Sequence, residues 1–167
     1  MERAEEGLGA PETGRAPRRR ETEPEFATTL AAAFDDLQVG QTFSFRRTFT
    51  DGDVALFCGV SGDFNPYHLD DTFAQQSWFG RRIIPGLLTA SMLTHIGGLL
   101  GFLARTMRFE FVAPVYVLDT ITCTVTITEK NAARRQVLGA ARWVNQDGVE
   151  VLRGDFSGLP GPRRLAR

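Results

Sequence analysis

Between Pro85 and Arg105 the chain reads GLLTASMLTHIGGLLGFLA, apolar at nearly every position and free of charge. An apolar stripe would lay a helix on a surface, whereas apolar residues all round predict a helix buried on every side, at the centre of the fold. The material to enclose it lies on both sides. Downstream, MRFEFVAPVYV, TITCTVTIT, RQVLGAARWVN and GVEVLRGDFSG alternate repeatedly and are dense in Val, Thr, Ile and Phe. They predict about four antiparallel strands, with turns near Asn131 and at Gln146-Asp147-Gly148. Upstream, QTFSFRRTFT sets Phe43, Phe45 and Phe49 at period two, with one irregularity at Arg46-Arg47, and predicts a further strand. One helix enclosed by a curved antiparallel sheet, an α+β fold, is the arrangement these elements suggest.

Between the first strand and the apolar helix, Thr50 and Asp53 have the spacing of a helix start, a capping hydroxyl followed three residues later by an acid. That helix runs through VALFCGV and stops at Gly62. Residues 63–68 then fall on an irregular loop, where side chains can converge on a ligand. Asp70 can cap another short helix through FAQQSWF, which Gly80 ends.

A chain of 167 residues fits one domain, placed at 31–160. Residues 1–30 are rich in Glu, Arg, Pro and Gly with almost no apolar anchor before Phe26, which predicts a disordered tail; residues 161–167 form a C-terminal tail. Six glutamates nearly neutralise the cluster Arg15, Arg18, Arg19 and Arg20. With 19 basic and 20 acidic residues the net charge is −1, so no global field draws the protein to nucleic acid or to an anionic membrane. Cys58 and Cys123 each sit in an apolar stretch without a second ligand at metal spacing, which argues against a disulfide framework and a zinc site and for buried thiols in a reducing cytoplasm. No apolar run approaches the roughly 20 residues of a spanning helix, and no membrane association is expected.

The chemistry is concentrated in Ser61-Gly62-Asp63-Phe64-Asn65-Pro66-Tyr67-His68. A carboxylate, an amide and an imidazole fall within six positions, on a backbone shaped by Gly62 and Pro66. His68 is one of only two histidines, and imidazole is the side chain whose ordinary pKa suits proton transfer near neutral pH. An Asp and a His five residues apart also occur as ordinary helix caps and turn bridges, so the pair alone decides little.

The longer string is more specific. GDxNPxH, together with FDDLQVGQ, FCGVSGDFNPYHLDDTFA, PGLLTASML and RFEFVAPVYVLDTI, resembles the (R)-specific enoyl-CoA hydratases and MaoC-like dehydratases from about Phe34 to Leu159. The resemblance implies a single hot-dog fold, a long central helix wrapped by a curved antiparallel sheet. It also implies reversible hydration of 2-enoyl thioesters, on coenzyme A or an acyl carrier protein, to (R)-3-hydroxyacyl thioesters, as in fatty acid metabolism. Asp63 and His68 match the residues that hold the catalytic water, and Asn65 either orients them or only forms the turn. Gly86, at the start of the apolar helix, offers a backbone N–H to the developing oxyanion. No cofactor beyond the thioester carrier and no metal is implied, and the family's sheets pair across subunits, so a homodimer is expected.

The chain also departs from the family. Pro85 stands where His commonly precedes the Gly, which leaves Gly86 the only donor at that step and bears on substrate range. Leu118 stands where Gly often precedes Asp, which suggests a different turn and leaves Asp119 structural. Thr94 matches a position where some members place a Ser near the catalytic pair, though a helical Thr also bonds back to its own turn. His95 beside it reads as a core or interface histidine. Phe64, Tyr67, Trp78 and Phe79 flank the motif and could line an acyl pocket. The alternatives are a hot-dog thioesterase, which the GDxNPxH string opposes, and a non-catalytic acyl-thioester binding module, towards which only Pro85 and Leu118 lean.

Overall fold

The computed structural model describes residues 34–161. The expected tails, residues 1–30 and nearly all of 161–167, lie outside the described residues. Strand β1 spans Thr42–Thr48. Helices α1 (Asp51–Ser61), α2 (Pro66–Leu69), α3 (Asp71–Gln76), α4 (Gly86–Ala90) and α5 (Met92–Leu99) follow. Then come β2 (Leu103–Phe111), β3 (Thr120–Asn131), β4 (Gln136–Val144) and β5 (Glu150–Leu159). The five strands form one antiparallel sheet in the order β1-β3-β4-β5-β2. Register shifts at Ala104/Thr106, Ile127/Glu129 and Trp143/Val144 bend the strands where one residue is left over, which curves the sheet. Helix α5 packs across β1 and β3, the hot-dog arrangement expected.

The strands are explained by their alternation. On β3 the residues Ile121, Cys123, Val125 and Ile127 are all buried, and on β4 Val137, Ala141 and Trp143 face the same core. Ile121, Cys123, Val125, Ala141 and Trp143 pack with Leu88, Met92, Leu93 and Ile96 of the helices to form the main apolar cluster, while Ile127 and Val137 pack with Phe34 and Leu37 in a second one. The turns fall where expected. Asn131 accepts a hydrogen bond from the N–H of Arg134, and Gly148 takes a φ of +80° between β4 and β5.

Four expectations are corrected. The apolar segment is not one helix buried all round: it breaks at Ser91 into α4 and α5 and ends at Leu99, and Leu87, Thr94, His95 and Leu99 are exposed. Its apolar tail instead enters β2, because Gly101 reverses the chain at a φ of +61° and Leu103 onward pairs with β5. In β1 there is no irregularity at Arg46-Arg47, since the register with β3 is unbroken. Arg47 simply occupies the inward face between Phe45 and Phe49, its guanidinium 4.8 Å from the Phe49 ring centre and paired with Asp53. Residues 66–69 form a helical turn rather than loop, with Pro66 at a first-turn position where its missing N–H costs nothing. Helix α3, capped by Asp70 as expected, ends at Gln76, before Gly80.

Among the described residues no helix is long and apolar enough to cross a membrane.

Candidate functional site

Helix α1 is closed at both ends by its sequence. Thr50 and Asp53 form a reciprocal capping box, with Asp53 Oδ2 accepting from the Thr50 N–H at 2.8 Å and Thr50 Oγ1 accepting from the Asp53 N–H at 3.4 Å. At the other end Gly62, at a φ of +76°, donates to the Cys58 carbonyl and turns the chain out of the helix. Asp63 is the next residue, so glycine's left-handed freedom sets where the carboxylate leaves the helix. Asn65 then caps α2, its Oδ1 accepting from the Tyr67 N–H at 3.2 Å and its carbonyl from the His68 N–H at 3.0 Å. Of its two expected roles, Asn65 fills the turn-forming one, and through α2 it fixes the backbone of His68.

His68 is 8% exposed. Its Nδ1 lies 2.8 Å from the carbonyl oxygen of Ile83. A carbonyl only accepts, so Nδ1 carries a proton, and in the neutral form of the ring the lone pair lies on Nε2. That nitrogen faces Asp63 Oδ2 at 3.7 Å. The gap is too long for a direct hydrogen bond and suits one small molecule held by both groups. Ile83 is itself pinned, its N–H donating to the Tyr67 carbonyl at 3.1 Å and its neighbour Ile84 donating to Val115 at 2.7 Å.

A cleft of about 650 Å³ opens beside His68, lined by Trp78, Phe79, Ile83, Gly86, Thr89 and Phe111 among others. Asp63 lines an adjoining cleft with Phe57, Ser61, Gly86, Leu87 and Phe111. Gly86 and Phe111 therefore border both spaces, and the Phe111 ring lies so close that a Cβ on residue 86 would stand 2.7 Å from it. Gly86 is the first residue of α4, where a backbone N–H has no acceptor within the helix. Pro85 before it offers no N–H.

Other expected residues are placed elsewhere. The hydroxyl of Thr94 bonds back to the Ser91 carbonyl at 2.6 Å, and Thr94 lines a separate apolar cavity with Leu37, Leu93 and Phe156, not the clefts of Asp63 and His68. His95 is not in the core: it is exposed and stacks on Phe45, ring centres 3.8 Å apart. Of the flanking aromatics, Trp78 and Phe79 line the His68 cleft, while Phe64 points to solvent and Tyr67 packs edge-on against Phe73 and Phe79. Leu118 adopts a φ of +75°, a left-handed turn that glycine makes without strain. Asp119 is structural there, accepting from the Tyr116 N–H at 2.9 Å and from Gln146 at 3.0 Å.

Two residues bordering the site were missed in the sequence. Phe111 sits at the end of β2, and only the strand pairing carries it over Gly86. Thr89 is 2% exposed and its hydroxyl has no hydrogen-bond partner. A polar residue among GLLTA was its signal, and the helix hid it.

The thiols are held neutral. Burial, and after it the negative charge of Asp63, pushes the Cys58 thiol up, and burial pushes Cys123 up to about 12. Among the described residues no three His, Cys, Asp or Glu side chains gather as metal ligands.

Comparison with known proteins adds a lineage to this geometry. A family model described as "MaoC like domain" matches residues 36–148. An (R)-specific enoyl-CoA hydratase of Rhodospirillum rubrum is 36% identical over 99 residues, covering 57% of this chain and 69% of its own. An enzyme of the same description from Aeromonas caviae is 33% identical over 128 residues, 71% of this chain and 92% of its own. The solved structure of an (R)-hydratase from Pseudomonas aeruginosa superposes with a TM-score of 0.73 at 27% identity, covering 80% of this chain and 91% of that one.

Proposed function

The chain belongs to the MaoC-like domain family, and from that premise we propose that it is a hydro-lyase, adding water reversibly across the double bond of a 2-enoyl thioester to give the (R)-3-hydroxyacyl thioester. The observation that carries this reading is the 3.7 Å gap between Asp63 Oδ2 and His68 Nε2. A carboxylate and an imidazole nitrogen close enough for one water, seated beside the gap, to bond to both are what conjugate addition of water requires. Two relatives that align with more than half of this chain are described as (R)-specific enoyl-CoA hydratases.

In this reading one water is held between Asp63 and His68. Its oxygen attacks the β-carbon while the Nε2 lone pair of His68 takes its proton, and Asp63 orients the water and stabilises the resulting imidazolium. The C=C π electrons move towards the thioester, whose oxygen gathers negative charge against the Gly86 N–H. The imidazolium then returns its proton to the α-carbon, so that H and OH have been added and both protein groups are restored. Dehydration runs the same steps backwards.

The clefts bordered by Gly86 and Phe111 take the acyl group, with Trp78 and Phe79 along its wall. The protein works as a homodimer. Support for this comes from β2, an edge strand that leaves Leu103, Met107 and Phe111 exposed, a surface that a lone subunit would have to leave wet. Two unpaired, neutral thiols suit the reducing cytoplasm.

The test is to mix the purified protein with crotonyl-CoA, follow loss of the conjugated-enoyl absorbance and determine the chirality of the product. Hydration to the (R)-3-hydroxy product supports the reading. Release of free coenzyme A in its place would make the protein a thioesterase. Binding without turnover of crotonyl, longer and branched enoyl thioesters would make it an acyl-thioester binding module.

A further inference from the structure

Arg82 is the charged group most deeply engaged near the site, and none of the chemistry above uses it. Its side chain is 19% exposed and its three nitrogens go to three different elements. Nε lies 2.7 Å from Asp71 Oδ1, at the first residue of α3. Nη2 lies 2.7 Å from Asp51 Oδ1, at the first residue of α1. Nη1 donates to the carbonyl oxygen of His68, in α2, at 3.4 Å. The next residue in the chain is Ile83, whose carbonyl receives the His68 Nδ1–H.

Both halves of the catalytic pair thus depend on where these elements stand. Asp63 follows the far end of α1, and a helix of 11 residues is about 16 Å long. A small rotation at its Asp51 end is carried to Asp63. His68 stands on α2, a single turn of four residues. Buried Val54 and Cys58 seat α1 on the core, and the Arg47–Asp53 pair ties its first turn to β1. The planar guanidinium fork joins α1, α2 and α3 directly, and because its donors diverge in one plane it restricts how its three acceptors can be arranged.

We propose that Arg82 is a positioning residue that clamps α1, α2 and α3 and thereby sets the separation and orientation of Asp63 and His68. The proposal deepens the hydratase reading and rests on it for its kinetic arm only. Ion pairs with exposed carboxylates contribute little to stability, so the clamp acts on geometry more than on folding.

Two measurements test it, made on Arg82→Gln, Arg82→Lys and the milder Asp51→Asn and Asp71→Asn, with Arg142→Gln as a control at a distant surface ion pair. The first is enoyl-thioester hydration. Loss of positioning lowers kcat about 100-fold in Arg82→Gln with KM little changed. Each Asp→Asn variant, which removes one arm, loses about 10-fold. Lysine, a single point donor, fails to restore the wild-type rate, and the control retains it. The second is independent of activity. The chain has two histidines, and only that of His68 is buried and bonded through Nδ1 to a carbonyl, so nitrogen-15 NMR should show one imidazole N–H protected from exchange. It is absent from His68→Gln, and in folded Arg82→Gln it shifts and exchanges faster. If the wild type hydrates nothing, the functional reading fails while this resonance still decides the clamp. A resonance unmoved and equally protected in Arg82→Gln and in both Asp→Asn variants overturns the proposal, as does an unchanged kcat in those variants of an active enzyme.

Discussion

His68 Nδ1 and the carbonyl oxygen of Ile83 stand 2.8 Å apart, and this contact decides which nitrogen of the ring can do chemistry. With the proton fixed on Nδ1, the lone pair is fixed on Nε2, towards Asp63. The expected outcome is that His68→Gln and Asp63→Asn each lower kcat for enoyl-thioester hydration by about 10²–10⁴-fold, and that the double variant loses little more than the worse single, because both act on one water. Initial rates on crotonyl-CoA measure this, and a residual rate within threefold of wild type in either single variant would remove that residue from the mechanism.

Leu118 holds a left-handed φ of +75° with its side chain exposed. For a non-glycine residue that conformation costs about 1–2 kcal/mol, against roughly 0.4–1 kcal/mol of added unfolded-state entropy for glycine. Leu118→Gly should therefore stabilise the fold by about 0.5–1 kcal/mol, read as a higher urea midpoint with an unchanged slope. A lower midpoint would show that the leucine makes contacts worth more than its strain.

Asp53 combines opposed influences: burial raises its pKa, while hydrogen bonds from the Thr50 backbone and hydroxyl and the Arg47 guanidinium lower it, and the net result lies below its ordinary value of 3.8. The unfolded chain then binds the proton more tightly than the folded one, so the carboxylate stabilises the fold above about pH 4, and this is lost as pH falls through the depressed folded value. Asp53→Asn should cost about 1 kcal/mol at pH 7. The gap to wild type should narrow as pH drops below 4, and denaturant titrations at pH 7 and at about pH 3 compare the two. An equal gap at both would exclude the charge as its source.

Thr89 carries a buried hydroxyl without a partner beside the His68 cleft. Such a group costs about 1–3 kcal/mol, and valine has nearly the same shape. Thr89→Val should raise the melting temperature of the free protein by a few degrees, as scanning calorimetry would register. A fall would mean that the hydroxyl is satisfied in solution, by water within the cleft.

Much of the scaffold and the key pair could be read from the chain, for reasons that differ by element. The strands were legible because β3 alternates as far as Ile127 and β4 along its length, and α1 because Thr50, Asp53 and Gly62 mark both of its ends. Asp63 and His68 were legible because Gly62 and Pro66 bracket a dense polar string. The reach of the apolar helix was not, since residues 86–104 carry no charge to mark where α5 stops, and only pairing with β5 draws Leu103 into a strand. Of the two readings of Thr94, the bond back to its own turn is the one seen, and a match to a family position does not say which cavity a helical side chain borders. Arg82 shows the clearest limit, because its partners lie 31, 11 and 14 residues away and no local pattern joins them.

The sheet order β1-β3-β4-β5-β2 has a consequence in time as well as in space. Strands β3, β4 and β5 pair with their neighbours in sequence across short turns, whereas Thr42 must find Thr126 and Leu103 must find Leu159. Closing longer loops costs more entropy before any contact repays it, so the hairpin trio has the shortest path to structure and the two edges are recruited after it. Asp63, His68 and Gly86 are all strung between those edges. Strand β2 has no partner until β5, the last strand, has been made, and the water-handling pair lies on the stretch of chain that this late pairing closes.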